Sequence, residues 1–157
     1  MPASLTLRKA TIYVGVRPGG STIGLMAKGE LLFSGKSYNV ISGPWNRGVL
    51  PDGTYEVKKY NVVVNSNEAG YQSPSGKGWF IPLQAPAGIT RSGFGIHPDG
   101  NVEGTAGCIG LVGLDADEFW NAWVKTPMAE RPNQLNVSGP TASGDERYVI
   151  DGEGANE

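Results

Sequence analysis

Glycine and proline interrupt this chain so often that it cannot be built from long helices. Of 157 residues, 24 are glycine and 11 are proline. Inside a helix each glycine costs about 1 kcal/mol and each proline about 3 kcal/mol relative to alanine. The segments between them are short and rich in β-branched and aromatic residues, which suits strands joined by turns. The predicted fold is mainly β. A hydrophobic share of 39% against 18% charged residues gives one domain enough core and excludes a charge-driven disordered chain.

Strands are predicted at Thr11–Val16, at Ser21–Met26 and Glu30–Phe33 around a turn at Ala27-Lys28-Gly29, at Ser37–Ile41 and across Thr54–Val64. Ser42–Gly48 reads as a loop, and the polar, glycine-rich Asn65–Gly78 as a long loop or flap. Gly78–Leu83 and Gly93–His97 are further strands. In the second, alternation sends Phe94 and Ile96 to one face and Gly93, Gly95 and His97 to the other. One short helix is expected from Leu114 or Asp115, with Phe119, Trp120 and Trp123 as its apolar stripe and Pro127 as its stop. Asn133–Ser138 reads as a last strand. Residues 1–139 then form a single domain. Residues 140–157, with five acids (Asp145, Glu146, Asp151, Glu153, Glu157) against Arg147, form an acidic, mobile tail.

The formal charge of −2 supplies no basic field for nucleic acid. A single cysteine rules out an internal disulfide. The N-terminal MPASLTLRKATIYVGV lacks the apolar centre of a signal peptide. No apolar run approaches the roughly 20 residues that span a bilayer, so no membrane insertion is expected. The expectation is synthesis in the cytoplasm without a Sec signal. Action in the periplasm or cell wall would then follow delivery by another route or lysis.

The chain has one histidine, His97, and one cysteine, Cys108, eleven positions apart on either side of Pro98-Asp99-Gly100-Asn101. A thiol needs a neighbouring base or positive dipole to act as a thiolate at neutral pH, and His97 is the sole imidazole on offer. Taken singly, a cysteine is usually a small buried hydrophobe and a histidine a satisfied structural residue. Within Gly104-Thr105-Ala106-Gly107-Cys108 the pair reads better as a nucleophile and its base. Backbone N–H groups of Gly107 and Cys108 are available to an oxyanion, and Gly104, Ala106 and Gly107 leave room for an extended peptide. Asp99 orients the imidazole, contacts substrate, or simply makes the Pro-Asp-Gly turn. Arg91 binds a substrate carboxylate or stays solvated. Tyr60, Tyr71 and Trp79 line a groove or pack the interior. Zinc chemistry needs about three N, S or O protein ligands, so no metal and no cofactor are expected. A lysozyme-like pair drawn from Asp99 or Glu103 has no spacing to single it out.

Histidine-first order narrows the chemistry. The segment Phe94-Gly95-Ile96-His97 followed by Thr105-Ala106-Gly107-Cys108-Ile109 resembles the signature of the L,D-transpeptidase catalytic domain, an Ile-His strand end followed by Ser-x-Gly-Cys-Ile. Gly48-Val49-Leu50-Pro51-Asp52-Gly53-Thr54-Tyr55-Glu56-Val57 is similar to the family's Thr-Pro-x-Gly-x-Tyr/Phe-x-Val segment. The resemblance covers residues 10–138. The Arg91-Ser92-Gly93-Phe94 lead-in looks like the compact peptidoglycan effectors of type VI secretion and related phage proteins. The resemblance implies a β-sandwich or barrel with one short helix after the cysteine. It also implies a cysteine acyl-enzyme and peptidoglycan stem peptides as substrate. Cys108 would be the nucleophile, His97 the base and Gly107 the oxyanion position, with Thr105 where the family often has serine. Asp99, Arg91, Gly95, Ala106, Tyr71 and Trp79 are the expected substrate contacts. A monomer is expected, with an immunity or delivery protein as its partner. Ala106, Gly110 and Pro98 replace the family's usual histidine, arginine and glycine, which favours water over an amine as acceptor. The competing functions are a chemically silent wall-binding or phage structural module of the same fold, and a glycan-cleaving muramidase.

Overall fold

The computed structural model describes residues 2–46, 48–100, 102–140 and 146–152. In chain order the elements are β1 (Leu5–Val16), β2 (Thr22–Phe33), β3 (Lys36–Ser42), β4 (Gly53–Val57), β5 (Val63–Val64), β6 (Trp79–Gln84), β7 (Gly95–Pro98), β8 (Ile109–Leu111), α1 (Leu114–Lys125), β9 (Gln134–Ser138) and β10 (Arg147–Val149). The fold is mainly β, as predicted, and resolves to a closed eight-stranded barrel with one helix. Neighbours run β1-β2-β3-β8-β7-β6-β4-β9, and β9 returns to β1 through Thr6↔Asn136, Leu7↔Val137 and Arg8↔Ser138. Closure leaves none of these eight strands with a bare edge.

The two-residue period sorts the side chains. Leu5, Leu7, Leu31, Phe33, Tyr38, Val40, Tyr55, Val57, Ile81, Leu83, Phe94, Ile96, Ile109, Leu111, Leu135 and Val137 are buried in one core. Helix α1 closes this core with Phe119 and Trp123, packed against Phe33 and Tyr38 at ring separations of 5.4–6.1 Å. Asp115 at the helix start accepts the Asn39 N–H at 2.7 Å and ties α1 to β3. Among the described residues, no helix is long and apolar enough to cross a membrane.

The Pro51–Tyr55 segment supports β7 from inside. Tyr55 donates to the Pro51 carbonyl at 2.7 Å and meets Phe94 edge-on at 5.5 Å. Asp52 pairs with Lys9 at 2.6 Å. Burial, with Asp52 adding to it against an opposing Arg91, pushes the Tyr55 phenol up to about 12.

Three expectations need correction. The turn at Ala27-Lys28-Gly29 is absent, because β2 runs straight through it. Gly29 instead admits the β1 backbone, where a Cβ would fall 2.1 Å from the Arg8 carbonyl oxygen, beside a bulge at Lys9/Thr11. Thr54–Val64 is not one strand but β4 and β5, separated by Lys58–Val62. Nor is the C-terminal segment wholly a tail. β10 pairs parallel with Val14–Val16 of β1, and Ile150, 1% exposed, is buried with Met26, Ile41, Trp45 and Ala106. An apolar Tyr148-Val149-Ile150 run amid the acids supplies the reason. Arg47, Asn101, Asp145, Glu153 and Glu157 lie outside the described residues.

Candidate active site

Strands β7 and β8 are parallel, with Ile96↔Ile109, His97↔Gly110 and Pro98↔Leu111 in register. The turn at Pro98-Asp99-Gly100 therefore does not make a hairpin. The intervening ten residues, 99–108, loop out and re-enter beside β7 in the same direction. Paired residues point to one side of a sheet, and so do residues two apart in a strand. Ile96 and Ile109 face the core, so His97, Gly110, Gly95 and Cys108 share the outer face. Cys108 and His97 are diagonal neighbours, a placement that spans roughly 7 Å between backbones. Each faces a glycine: Gly110 lies across from His97, and Gly95 is one step before Ile96 just as Cys108 is one step before Ile109.

The space above each glycine is filled. A Cβ on Gly95 would meet the Phe80 ring at 2.1 Å, and that ring stacks on the His97 imidazole at 5.7 Å and 12°. A Cβ on Gly110 would meet Thr105 Cγ2 at 2.9 Å and Asp99 Cβ at 3.0 Å. The flap adds Tyr71, whose ring lies 4.5 Å from His97 and 5.3 Å from Phe80. It reaches this position because Gly100 is bare. The Gly100 N–H donates to the Gly70 carbonyl at 3.1 Å, and a Cβ there would sit 2.1 Å from the Ala69 oxygen.

His97 Nδ1 lies 2.7 Å from the Pro98 carbonyl oxygen. A carbonyl cannot donate, so Nδ1 carries the proton, and in the neutral ring Nε2 holds the lone pair. The Cys108 thiol donates to the Gly93 carbonyl at 3.5 Å. Cys108 is 3% exposed and His97 0%, so the pair lies beneath the flap and the segment leading into β7.

Thr105 organises the loop. Its hydroxyl donates to the Cys108 carbonyl at 2.7 Å and accepts the N–H of Gly43 at 3.1 Å and of Gly107 at 3.3 Å. Backbone bonds from Thr105 N–H to the Gly43 carbonyl and from Trp45 N–H to the Thr105 carbonyl fasten the same loop to the residues after β3. Asp99 accepts the Gly104 N–H at 3.1 Å, the turn-bracing role that Pro-Asp-Gly suggests.

The structure thus gathers Cys108, His97, Thr105, Gly107, Gly95, Asp99 and Tyr71 around one patch of barrel wall. Other expected roles shift. Gly107 has φ +123°, which few residues other than glycine adopt, and its N–H is engaged by Thr105. Ala106 packs into the second core with Trp45 and Ile150. Arg91 lies over the Phe94 ring at 4.8 Å and donates to the Val49 carbonyl at 3.3 Å. Trp79 is interior, stacked on Phe119 and Trp120, and Tyr60 is exposed. Phe80 escaped sequence reasoning, although the alternation Trp79-Phe80-Ile81 places it on the same outer face as His97.

A groove of about 530 Å³ lined by Lys9, Ile12, Leu25, Val49 and Pro51 includes neither Cys108 nor His97. Among the described residues, no three His, Cys, Asp or Glu side chains group to hold a metal. Comparison with protein-family models, with curated proteins and with solved structures finds no match.

Proposed function

We propose that this chain is a cysteine-nucleophile enzyme of the L,D-transpeptidase type that acts on peptidoglycan stem peptides. The supporting observation is the shared outer face of β7 and β8, where Cys108 and His97 stand diagonally while Pro98 holds the imidazole with Nε2 as its basic nitrogen. In this reading Nε2 takes the Cys108 proton and the thiolate attacks a stem-peptide carbonyl carbon. The C–N bond breaks as the imidazolium returns the proton to the leaving amine, and a thioester remains. Water then attacks the thioester, giving a carboxylic acid and regenerating the thiol; an amine acceptor would give a new amide. Water is the favoured acceptor, because Ala106 and Gly110 bring no polar side chain to hold a second peptide.

Defined tetrapeptide and pentapeptide muropeptides, with products read by mass spectrometry, test this. Wild type should shorten or exchange the stem, and Cys108→Ala should not. Unchanged product formation by Cys108→Ala would sink the mechanism.

One observation favours a second reading, a silent wall-binding module: the near-complete burial of both side chains. Thiol alkylation at pH 6–7 separates the two. A catalytic Cys108 reacts faster than a free thiol and slows in His97→Ala. A silent one stays inert until the protein unfolds.

A further inference from the structure

The segment that covers His97 has a second side. Between the end of β5 and the start of β6 it encloses a cleft of about 430 Å³, lined among others by Asn65, Asn67, Gln72, Lys77, Trp79 and Trp120. That volume lies within the range of small-ligand sites. The lining chemistry is selective: three side-chain amides, one ammonium and two indoles, with no carboxylate among the lining residues. Trp120 of α1 is half-buried and rests on the buried Trp79, with rings 5.0 Å apart and 14° from parallel. This gives a rigid aromatic wall.

The walls are held before any ligand arrives. The Ser66 N–H donates to the Gly78 carbonyl at 3.0 Å, and Gly78 admits Ser66 so closely that a Cβ would lie 2.2 Å from its carbonyl oxygen. Gln72 Nε2 donates to the Ser66 carbonyl at 3.0 Å, which leaves its amide oxygen as an acceptor. Ser73 and Ser75 both donate to Asp117 Oδ1, at 2.5 and 2.6 Å, and pin the segment to α1. Asn65 has φ +55°, a conformation that asparagine tolerates.

We infer that this cleft is a glycan subsite for a β-linked N-acetylhexosamine chain, separate from the thiol and imidazole. The negative face of an indole attracts the weakly positive axial C–H groups of a pyranose ring. Side-chain amides pair with hydroxyl and acetamido groups as donor and acceptor at once, and an ammonium donates to hydroxyl or carbonyl oxygens. An anionic ligand would want more than one cation, and a cationic one would want a carboxylate. The choice of an N-acetylated sugar rests on the peptidoglycan reading above. Under it, one segment grips the glycan on this side and places Tyr71 against His97 on the other, so the sugar chain would help present its stem peptide to Cys108.

The test uses chitotetraose, which has no peptide, with cellotetraose as the control without acetamido groups. Binding is followed through the indole N–H resonances of Cys108→Ala protein in ¹⁵N-correlated NMR spectra. Chitotetraose should shift the Trp120 and Trp79 signals saturably, and cellotetraose should bind at least about fivefold more weakly. Trp120→Ala should weaken binding about tenfold. Because that change touches packed aromatics, Asn67→Ala and Lys77→Ala at exposed positions serve as a second probe and should each weaken it severalfold with the spectrum otherwise intact. No shift with chitotetraose, or equal binding by all variants, would overturn the subsite. Glycan binding lost while Cys108-dependent peptide cleavage persists removes this inference alone. Glycan binding retained alongside Cys108-independent turnover upholds it and removes the acyl-enzyme reading.

Discussion

The side chains that matter at this site are set by what surrounds them, and Thr105 shows it most directly. Its hydroxyl serves the Cys108 carbonyl and the Gly43 and Gly107 N–H groups together. Thr105→Val keeps the shape and strands those buried partners, at about 2–3 kcal/mol. Urea unfolding should show this loss, and Cys108 alkylation should lose its dependence on His97. Thr105→Ser should recover most of both. Tyr55 offers a pH test. Its phenol ionises near 12 in the fold and near 10 in the unfolded chain. Between these values the native state holds more protons than the unfolded one, so the contribution is complete below pH 10 and is lost as pH rises toward 12. Wild type should therefore lose about 2 kcal/mol more than Tyr55→Phe between pH 9 and pH 12, read from urea midpoints. Residue-level reading went furthest where sequence neighbours decide the placement, as in setting His97 and Cys108 on either side of one loop, which the register of β7 and β8 turns into diagonal positions. It did not anticipate the second core around Ala106 or the Val49 carbonyl that Arg91 meets, because those surroundings come from distant parts of the chain.

At the scale of elements, periodicity carried most of the fold. The alternation of Phe94 and Ile96 against Gly95 and His97 was legible, and so was α1 from its acidic start and Pro127 stop. What stayed hidden depended on partners far along the chain. Gly29 looks like a turn residue until β1 lies across it. The parallel return of β8 beside β7 is invisible in a Pro-Asp-Gly turn, because the fastening of the loop to Gly43 and Trp45 is what directs it. β10 docks because Ile150 finds a second core. Ile150→Ala should cost about 2–4 kcal/mol by leaving a cavity under the cysteine loop, measurable by thermal or urea unfolding. The flap gives a sharper test. A Cβ at Gly100 would collide with backbone at Ala69 and Gly70, so Gly100→Ala should lift the 69–71 turn and Tyr71 from His97. Alkylation of Cys108 should then quicken severalfold, whereas an unchanged rate would mean that the flap does not guard the thiol.

For the whole molecule, barrel closure turns an interior-facing pattern into a continuous wall, and the outer surface of β7 and β8 becomes a platform on which Cys108 and His97 stand at fixed register. Under the proposed function, the coverings, the 65–78 flap and the segment before β7, would have to yield for a stem peptide to reach the buried thiol. The most direct measurement is the intact mass of the protein after brief incubation with a defined tetrapeptide muropeptide and acid quenching. The account predicts an added mass equal to the acyl part of the stem, mapped to Cys108, released by hydroxylamine, and greatly diminished in His97→Ala. Stem cleavage that proceeds with no adduct on Cys108, and equally well in Cys108→Ala, would contradict it.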